Sequence, residues 1–304
     1  MREIVKITIA LTISCLVAGT VMGGVFMFTA KAKLQSEAML RQQTLLGLLG
    51  YGDNHPAPAD LKLSHVYRYI LSDDTGIRSG YLVLVLNGSQ IQHEFLIVDR
   101  DGGFVNRHPV TIPPEKAATE SDRNAAIQHV LGQAVTIRYA DDMIIASQND
   151  IRTAYVLLGK FPGFKTFIHA MVALNSGFGI LGMEITAHEE DPGLGGEIEK
   201  DFFKNQFRDR SLEVVKGLTV TKDPLPDDYR FYLEPQKWED RQIDEADAAA
   251  LKEKYQAADI HAISGATISS RCVTDGVRQL VKNFSYRIQI LDRVMSEKQI
   301  HAAF

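Results

Sequence analysis

Two cysteines in 304 residues, Cys15 and Cys272, leave this chain without the ligand set of a thiolate zinc site, an iron–sulfur cluster or a disulfide framework. Any redox chemistry must use another cofactor. The 33 lysines and arginines form no long basic stripe and are outnumbered by 38 aspartates and glutamates, so sequence-independent nucleic-acid binding lacks its electrostatic footprint. With 10 prolines and 23 glycines the chain is neither collagen-like nor low-complexity, and no repeat of about twenty to fifty residues recurs. One large or two modest domains fit the length. No G-x-x-x-x-G-K-[ST], H-E-x-x-H or C-x-x-C-H is present, and Gly193-Leu194-Gly195-Gly196 does not follow the strand that a dinucleotide fingerprint requires. Nucleotide hydrolysis, zinc hydrolysis and c-type haem are excluded.

The chain does contain one long uncharged run, Ile7 to Ala30, which at helical rise exceeds the roughly 30 Å hydrocarbon thickness of a bilayer. It reads as a retained single-span anchor. Ala30-Lys31-Ala32 offers a signal-peptidase pattern, but the run is longer than the apolar region of an ordinary signal peptide. Arg2 and Lys6 precede the run and Lys31, Lys33 and Arg41 follow it, so charge leaves the orientation open. Gly19 and Gly23 form a G-x-x-x-G pair that fits close approach of another membrane helix or chance equally well.

Ala32 to Gly47 is a good helix former that continues the anchor as an amphipathic stalk, and Tyr51 to Asp60, rich in Gly and Pro, breaks it. Strands are expected at His65–Leu71, Gly80–Leu86 and Ile91–Val98, the Asn87-Gly88 step marking a hairpin. A helix is expected over Asn124–Gly132. Val135–Tyr139 and Met143–Ala146 read as a second hairpin around Asp141-Asp142, and the pairs Asp73-Asp74, Asp141-Asp142 and Asp227-Asp228 read as solvated turns rather than catalytic carboxylates. From Tyr155 a further set of strands is punctuated by Pro162-Gly163 and Asn175-Ser176-Gly177. A short aromatic helix or turn at Asp201–Phe207, a strand region at Ser211–Val220 and a helix at Asp244–Tyr255 follow.

The informative segment is Ile263-Ser264-Gly265-Ala266-Thr267-Ile268-Ser269-Ser270, which leads into helical spacing at Val273, Val277, Leu280, Val281 and Phe284. A helix starts near Thr267. Ser264 is placed to cap it, while Gly265 and Ala266 keep side-chain bulk off the backbone, so an anion could approach the helix N-terminus beside the Thr267 hydroxyl. Cys272, one turn on, reads as a packed small hydrophobe rather than a reactive thiol.

The S-G-A-T string resembles the flavinylation motif of the FMN-binding domain family, whose threonine holds FMN through a phosphoester installed by a flavin transferase from FAD. His188-Glu189-Glu190-Asp191-Pro192-Gly193-Leu194-Gly195 is similar to that family's H-x-E-T-P-G-L-G loop. Phe161-Pro162-Gly163-Phe164 and Asn205-Gln206-Phe207-Arg208-Asp209-Arg210-Ser211-Leu212 resemble two further family segments, so the likeness covers about residues 155 to 285. With one membrane span added, it most resembles the branch of G subunits of Rnf ion-translocating electron-transport complexes, related to the C subunits of sodium-pumping NADH:quinone oxidoreductases. The sequence departs from the motif at His261, where the family carries Asp, and at Asp191, where the loop carries Thr. Asp191 exchanges a neutral donor for an acceptor-only carboxylate, which is expected to disfavour reduced, anionic flavin.

The resemblance implies covalent FMN on Thr267, with Ser264, Gly265, Ala266, His188, Glu190, Gly193, Leu194 and Gly195 around it, no metal, and no general acid or base. It implies an electron-carrying subunit rather than an enzyme by itself, with membrane and redox subunits of an Rnf-like complex as partners and a flavin transferase in maturation. It places the chain in a bacterial or archaeal cytoplasmic membrane with the flavin domain on the extracytoplasmic, periplasmic side. The expected fold is α+β, a largely antiparallel sheet with helices after one membrane helix. The expected organisation is 1–32 anchor, 33–59 stalk and linker, 60–154 small α+β region, 155–285 FMN-binding domain and 286–304 helical tail. Two rival readings are an FMN-binding domain of another membrane redox or regulatory system, and a flavin-free structural or assembly subunit.

Overall fold

The computed structural model describes residues 2–74, 76–88, 90–238 and 243–304. The segments expected as anchor and stalk lie in one unbroken helix, α1 (Arg2–Leu48), the one helix among the described residues long and apolar enough to cross a membrane. Gly50, at φ 87°, turns the chain off its end.

Eight strands then form a single sheet: β1 (Lys62–Asp73), β2 (Gly76–Asn87), β3 (Gln90–Val98), β4 (Phe104–Val110), β5 (Thr136–Gln148), β6 (Ile151–Pro162), β7 (Phe167–Asn175) and β8 (Ile180–Ala187). Their order is β4-β3-β2-β1-β5-β6-β7-β8. All neighbours are antiparallel, so two four-stranded meanders meet at the central β1–β5 pair. Helices α2 (Pro114–Ala117) and α3 (Glu120–Leu131) connect the meanders. The expected α+β class with a largely antiparallel sheet is what the chain adopts, and the sheet continues across residues 154 and 155 through the β5–β6 pairing.

The hairpin expected at Asp141-Asp142 is absent, because both residues lie inside the single strand β5. Opposite them the register shifts, Arg68 facing Asp141 while Tyr69 faces Tyr139, so Ala140 is the extra residue of a bulge. Partners distant in sequence override the turn propensity: Asp141 is paired with Arg68 and Arg287, and Asp142 lies 3.6 Å from His65 of β1. The strand expected at Ser211–Val220 is also corrected. Ser211 caps the short helix α5 (Leu212–Gly217), and only β9 (Val220–Thr221) is extended, pairing in parallel with β10 (Ile260–His261).

Beyond β8 the chain forms α4 (Asp201–Lys204), α5, α6 (Asp227–Leu233), α7 (Glu245–Tyr255) and finally α8 (Thr267–Glu297). Helix α7 is capped by Asp244 in a reciprocal capping box with Asp247. Alternation along the strands divides the core between two faces. Met143 and Ile145 look toward α8, whose Val273, Val277, Val281, Phe284, Ile288 and Leu291 cover that face. Ile144, with Val156, Met171 and Ala173, looks the other way and meets Leu45 at the end of α1. Ile127 of α3 covers Tyr69, Leu82 and Phe95 on the same side.

The close approach of α8 to β6 requires Gly276: a β-carbon there would lie 2.3 Å from Phe161 ring atoms. Gly276→Ala is expected to destabilise the fold by about 1–3 kcal/mol through overpacking, read by chemical denaturation; an unchanged midpoint would show that the helix can retreat freely. Asp142 generates a second expectation. Burial opposes its ionisation, but His65, whose Nδ1 lies 3.6 Å away, the hydrogen bond from Tyr139 and the charge of Arg41 outweigh this and hold its carboxyl below the ordinary aspartate value. Its carboxylate therefore adds stability that is complete above the unfolded-state value of about 3.9 and is lost as pH falls through the lower folded-state value. Asp142→Asn should flatten the acid limb of stability against pH, and superimposable limbs would remove Asp142 from that account.

Candidate functional site

The chain leaves β10, buries Ile263 and turns at Ser264-Gly265, where Gly265 adopts φ 77°. A side chain there would meet Leu194 at 3.0 Å. Ala266 is the N-cap residue and Thr267 the first residue of α8; no side chain caps the helix. The expected Ser264 cap is thus not made, because the left-handed turn at Gly265 separates its hydroxyl from the first helical turn. Ser270 ties the turn from within instead, accepting the Ile263 N–H at 3.0 Å and donating to the Ala266 carbonyl at 3.0 Å. Among the described residues, the backbone N–H groups of Thr267, Ile268 and Ser269 have no acceptor. They stand at the positive end of a 31-residue helix beside the half-buried Thr267.

The loop that follows β8 lies against this N-terminus. Gly193, at φ 73°, bends it, and the N–H groups of Leu194 and Gly196 both donate to the Asp191 carbonyl, at 3.1 and 2.9 Å. Leu194 lies over Gly265, and Gly195 is buried against Ser269. The structure therefore brings Gly193, Leu194 and Gly195 together with Gly265, Ala266 and Thr267, while Ser264 stays exposed.

Glu190 and His188 lie beneath the loop. Glu190 is buried, with both carboxylate oxygens taken by protein donors: Phe164 N–H at 2.8 Å and Lys165 N–H at 3.2 Å on Oε1, and the Ser269 hydroxyl on Oε2. His188 accepts the Glu190 N–H on Nδ1 at 3.1 Å and sets Nε2 3.4 Å from Glu199. Both of these side chains hold the loop. Asp191 forms an ion pair with Lys165, so the negative charge expected from Asp191 has a neighbouring cation.

Three supporting residues carried no separate signal in the sequence. Gln206 grips β10 from both sides, accepting the His261 N–H at 2.8 Å and donating to its carbonyl at 3.2 Å. Arg210, 1% exposed, donates to the carbonyls of Gln206, Gln256 and Ala258, and burial makes its ionised form harder to hold. Ser269 receives its importance only from Glu190, a residue far away in the chain. His261, the departure from the family motif, sets Nδ1 3.1 Å from the Asp223 carbonyl and packs edge-on to Tyr229. No group of three or more His, Cys, Asp or Glu among the described residues could hold a metal ion.

A glycine-lined helix N-terminus with unspent donors is a site for an anionic group. Residues 163–282 match the profile of the FMN-binding domain family. Both the S-G-A-T segment and the Gly-rich loop lie within the match, so the resemblance read from them holds. Over 141 residues the chain is 28% identical to the G subunit of the proton-translocating ferredoxin:NAD(+) oxidoreductase complex of Clostridium ljungdahlii, covering 46% of this chain and 58% of that one. Over 138 residues it is 25% identical to the C subunit of the Na(+)-translocating NADH-quinone reductase of Yersinia pestis, covering 41% and 52%. The chain thus spans about half the length of these curated relatives. Solved structures similar to it include NqrC of Shewanella oneidensis (14% identity, TM-score 0.42, 85% of this chain and 99% of that one). Another is the C subunit of the Na(+)-translocating NADH-quinone reductase of Parabacteroides distasonis (18% identity, TM-score 0.34, 67% and 78%).

Within the matched residues Cys272 is half-buried, and burial together with the charges of Glu190 and Asp275 pushes its thiol up. Iodoacetamide at pH 8 should therefore modify Cys272 several-fold more slowly in the native protein than in denatured protein, measured on its peptide by mass spectrometry. Equal rates would mean an accessible, reactive thiol.

Proposed function

We propose that this chain is an electron-transfer subunit of a membrane-bound, ion-translocating oxidoreductase complex, and that it carries FMN on Thr267. The observation that carries the reading is the set of three unsatisfied N–H groups at residues 267–269, beside the Thr267 hydroxyl and under the Gly193–Gly195 loop. They suit a phosphate held at a helix N-terminus. Attachment forms a bond from Thr267 Oγ to the flavin-side phosphorus of FAD, breaks the phosphoanhydride, releases AMP and loses the hydroxyl proton, in the hands of a flavin transferase.

Bound FMN supplies one- and two-electron chemistry, and the protein supplies its position and surroundings. The exposed Gly265 leaves the backbone open to the phosphate, and the helix dipole offsets its charge. The exposed apolar side chains of Leu194, Ile268 and Phe164 are candidates to meet the flat ring. The Lys165–Asp191 pair moderates the local potential, so Asp191 does not act as an isolated negative charge beside it.

Membrane attachment through α1 completes the reading. Leu48 packs on Gly182 near the start of β8, whereas Leu40 and Arg41 lie beside Thr186 and Ala187 at its end. Traced back from Leu48, the helix therefore heads toward the sheet end that bears the Gly-rich loop. From Arg41 to Ala30, where the apolar run ends, is only about 16 Å of helix. This supports a flavin held near the membrane, within reach of membrane-embedded redox partners; its extracytoplasmic placement rests on the resemblance alone.

The test is intact mass with in-gel fluorescence after denaturation, on protein co-expressed with a flavin transferase. Wild type should gain one FMN less one water, and Thr267→Ala should gain none while remaining folded. An unmodified wild type beside an active transferase would overturn the covalent reading and favour the flavin-free structural subunit.

A further inference from the structure

Beyond flavin attachment itself, we infer that Glu190 is a positioning residue that locks three separate chain segments into the geometry in which Thr267 accepts FMN; the inference rests on the proposed role of Thr267. One carboxylate, 5% exposed, binds the β6–β7 turn through the Phe164 and Lys165 N–H groups and α8 through the Ser269 hydroxyl. Its own backbone belongs to the Gly-rich loop, whose Leu194 covers Gly265. The turn, the loop and the start of α8 are otherwise distant in sequence.

The surrounding glycines show how closely this carboxylate is enclosed. A β-carbon at Gly163 would lie 2.5 Å from Glu190 Oε1, and one at Gly195 would lie 2.7 Å from Oε2. Both glycines leave room for the carboxylate itself. Its position also sorts the donors at the α8 N-terminus. Glu190 takes the Ser269 side chain and leaves the backbone N–H groups of residues 267–269 unused, so the anion site stays open next to a buried carboxylate. Glu190 has no direct role toward the flavin in this arrangement, since its oxygens already serve three protein donors.

A glutamine is isosteric and can still accept the two N–H groups, while the Ser269 hydroxyl can turn to accept from its amide. Aspartate keeps the charge but is one methylene too short to reach both partners. Full-length protein in detergent, treated with flavin transferase and FAD and followed by intact mass, separates these cases. Glu190→Ala and Glu190→Asp should flavinylate about 10- to 100-fold more slowly than wild type, and Glu190→Gln should stay within about threefold, as expected when position rather than charge matters. Amide exchange on the flavin-free proteins supplies an independent readout: Glu190→Ala should quicken exchange in 163–165 and in the first hydrogen-bonded amides of α8, 270–273, together. Wild-type rates in Glu190→Ala and Glu190→Asp, or quickening confined to one segment, would overturn the inference. If Glu190→Ala does not fold, Ser269→Ala decides, because it removes only the tie to α8; an unchanged flavinylation rate there would overturn it. Failure of wild type itself to gain FMN would sink the Thr267 reading, and the coupled exchange then judges the clamp alone.

Discussion

The site depends on α8 being held across the sheet with its first turn at the end where β6 finishes and the chain leaves β8. The helix reaches that place because Gly276 lets the Phe161 ring sit against its backbone and because an apolar stripe from Val273 to Leu291 buries against β-strand side chains. Burial on this scale stabilises far more than any hydrogen bond at the site. The position of Thr267 is thus a consequence of core packing some distance away. The glycine at residue 276 and the placement of Thr267 serve one arrangement.

Polar groups then refine what packing has placed. Gln206 and Arg210 fasten the segment that leads into the S-G-A-T turn, Ser270 stitches the turn closed, and Glu190 joins it to the loop after β8. Each of these side chains is buried, and each has its hydrogen-bonding capacity directed at backbone groups that would otherwise be stranded without water. Around this turn the N–H groups of residues 267–269 are left open, beside the Thr267 hydroxyl and the Gly-rich loop. Three adjacent N–H groups at the start of a long helix suit an anion.

Two meanders share one sheet, but the flavin motifs belong to the second. The first meander, β1–β4, is covered by α3 and completes the sheet through the β1–β5 pair, where Arg68, Asp141 and Arg287 tie it to α8. It extends the surface on which α8 rests, so its contribution to the site is mechanical.

Local pattern determined much of this protein. The long apolar N-terminal helix, the strands around Asn87-Gly88 and Pro162-Gly163, the start of α8 near Thr267 and the flavin resemblance were all legible, because periodicity, turn residues and short motifs act within a few residues of chain. What depends on partners far away was decided only by tertiary structure. Asp141-Asp142 has the composition of a turn, yet arginines 73 and 146 residues away keep it in a strand. Ser264 has the composition of a cap, yet the turn at Gly265 carries it away and leaves α8 uncapped while Ser270 ties the turn, and Glu190 has the composition of a solvent-exposed loop residue until Ser269 and the β6–β7 turn close on it. A carboxylate gains its role from the donors that surround it, and folding chooses those donors.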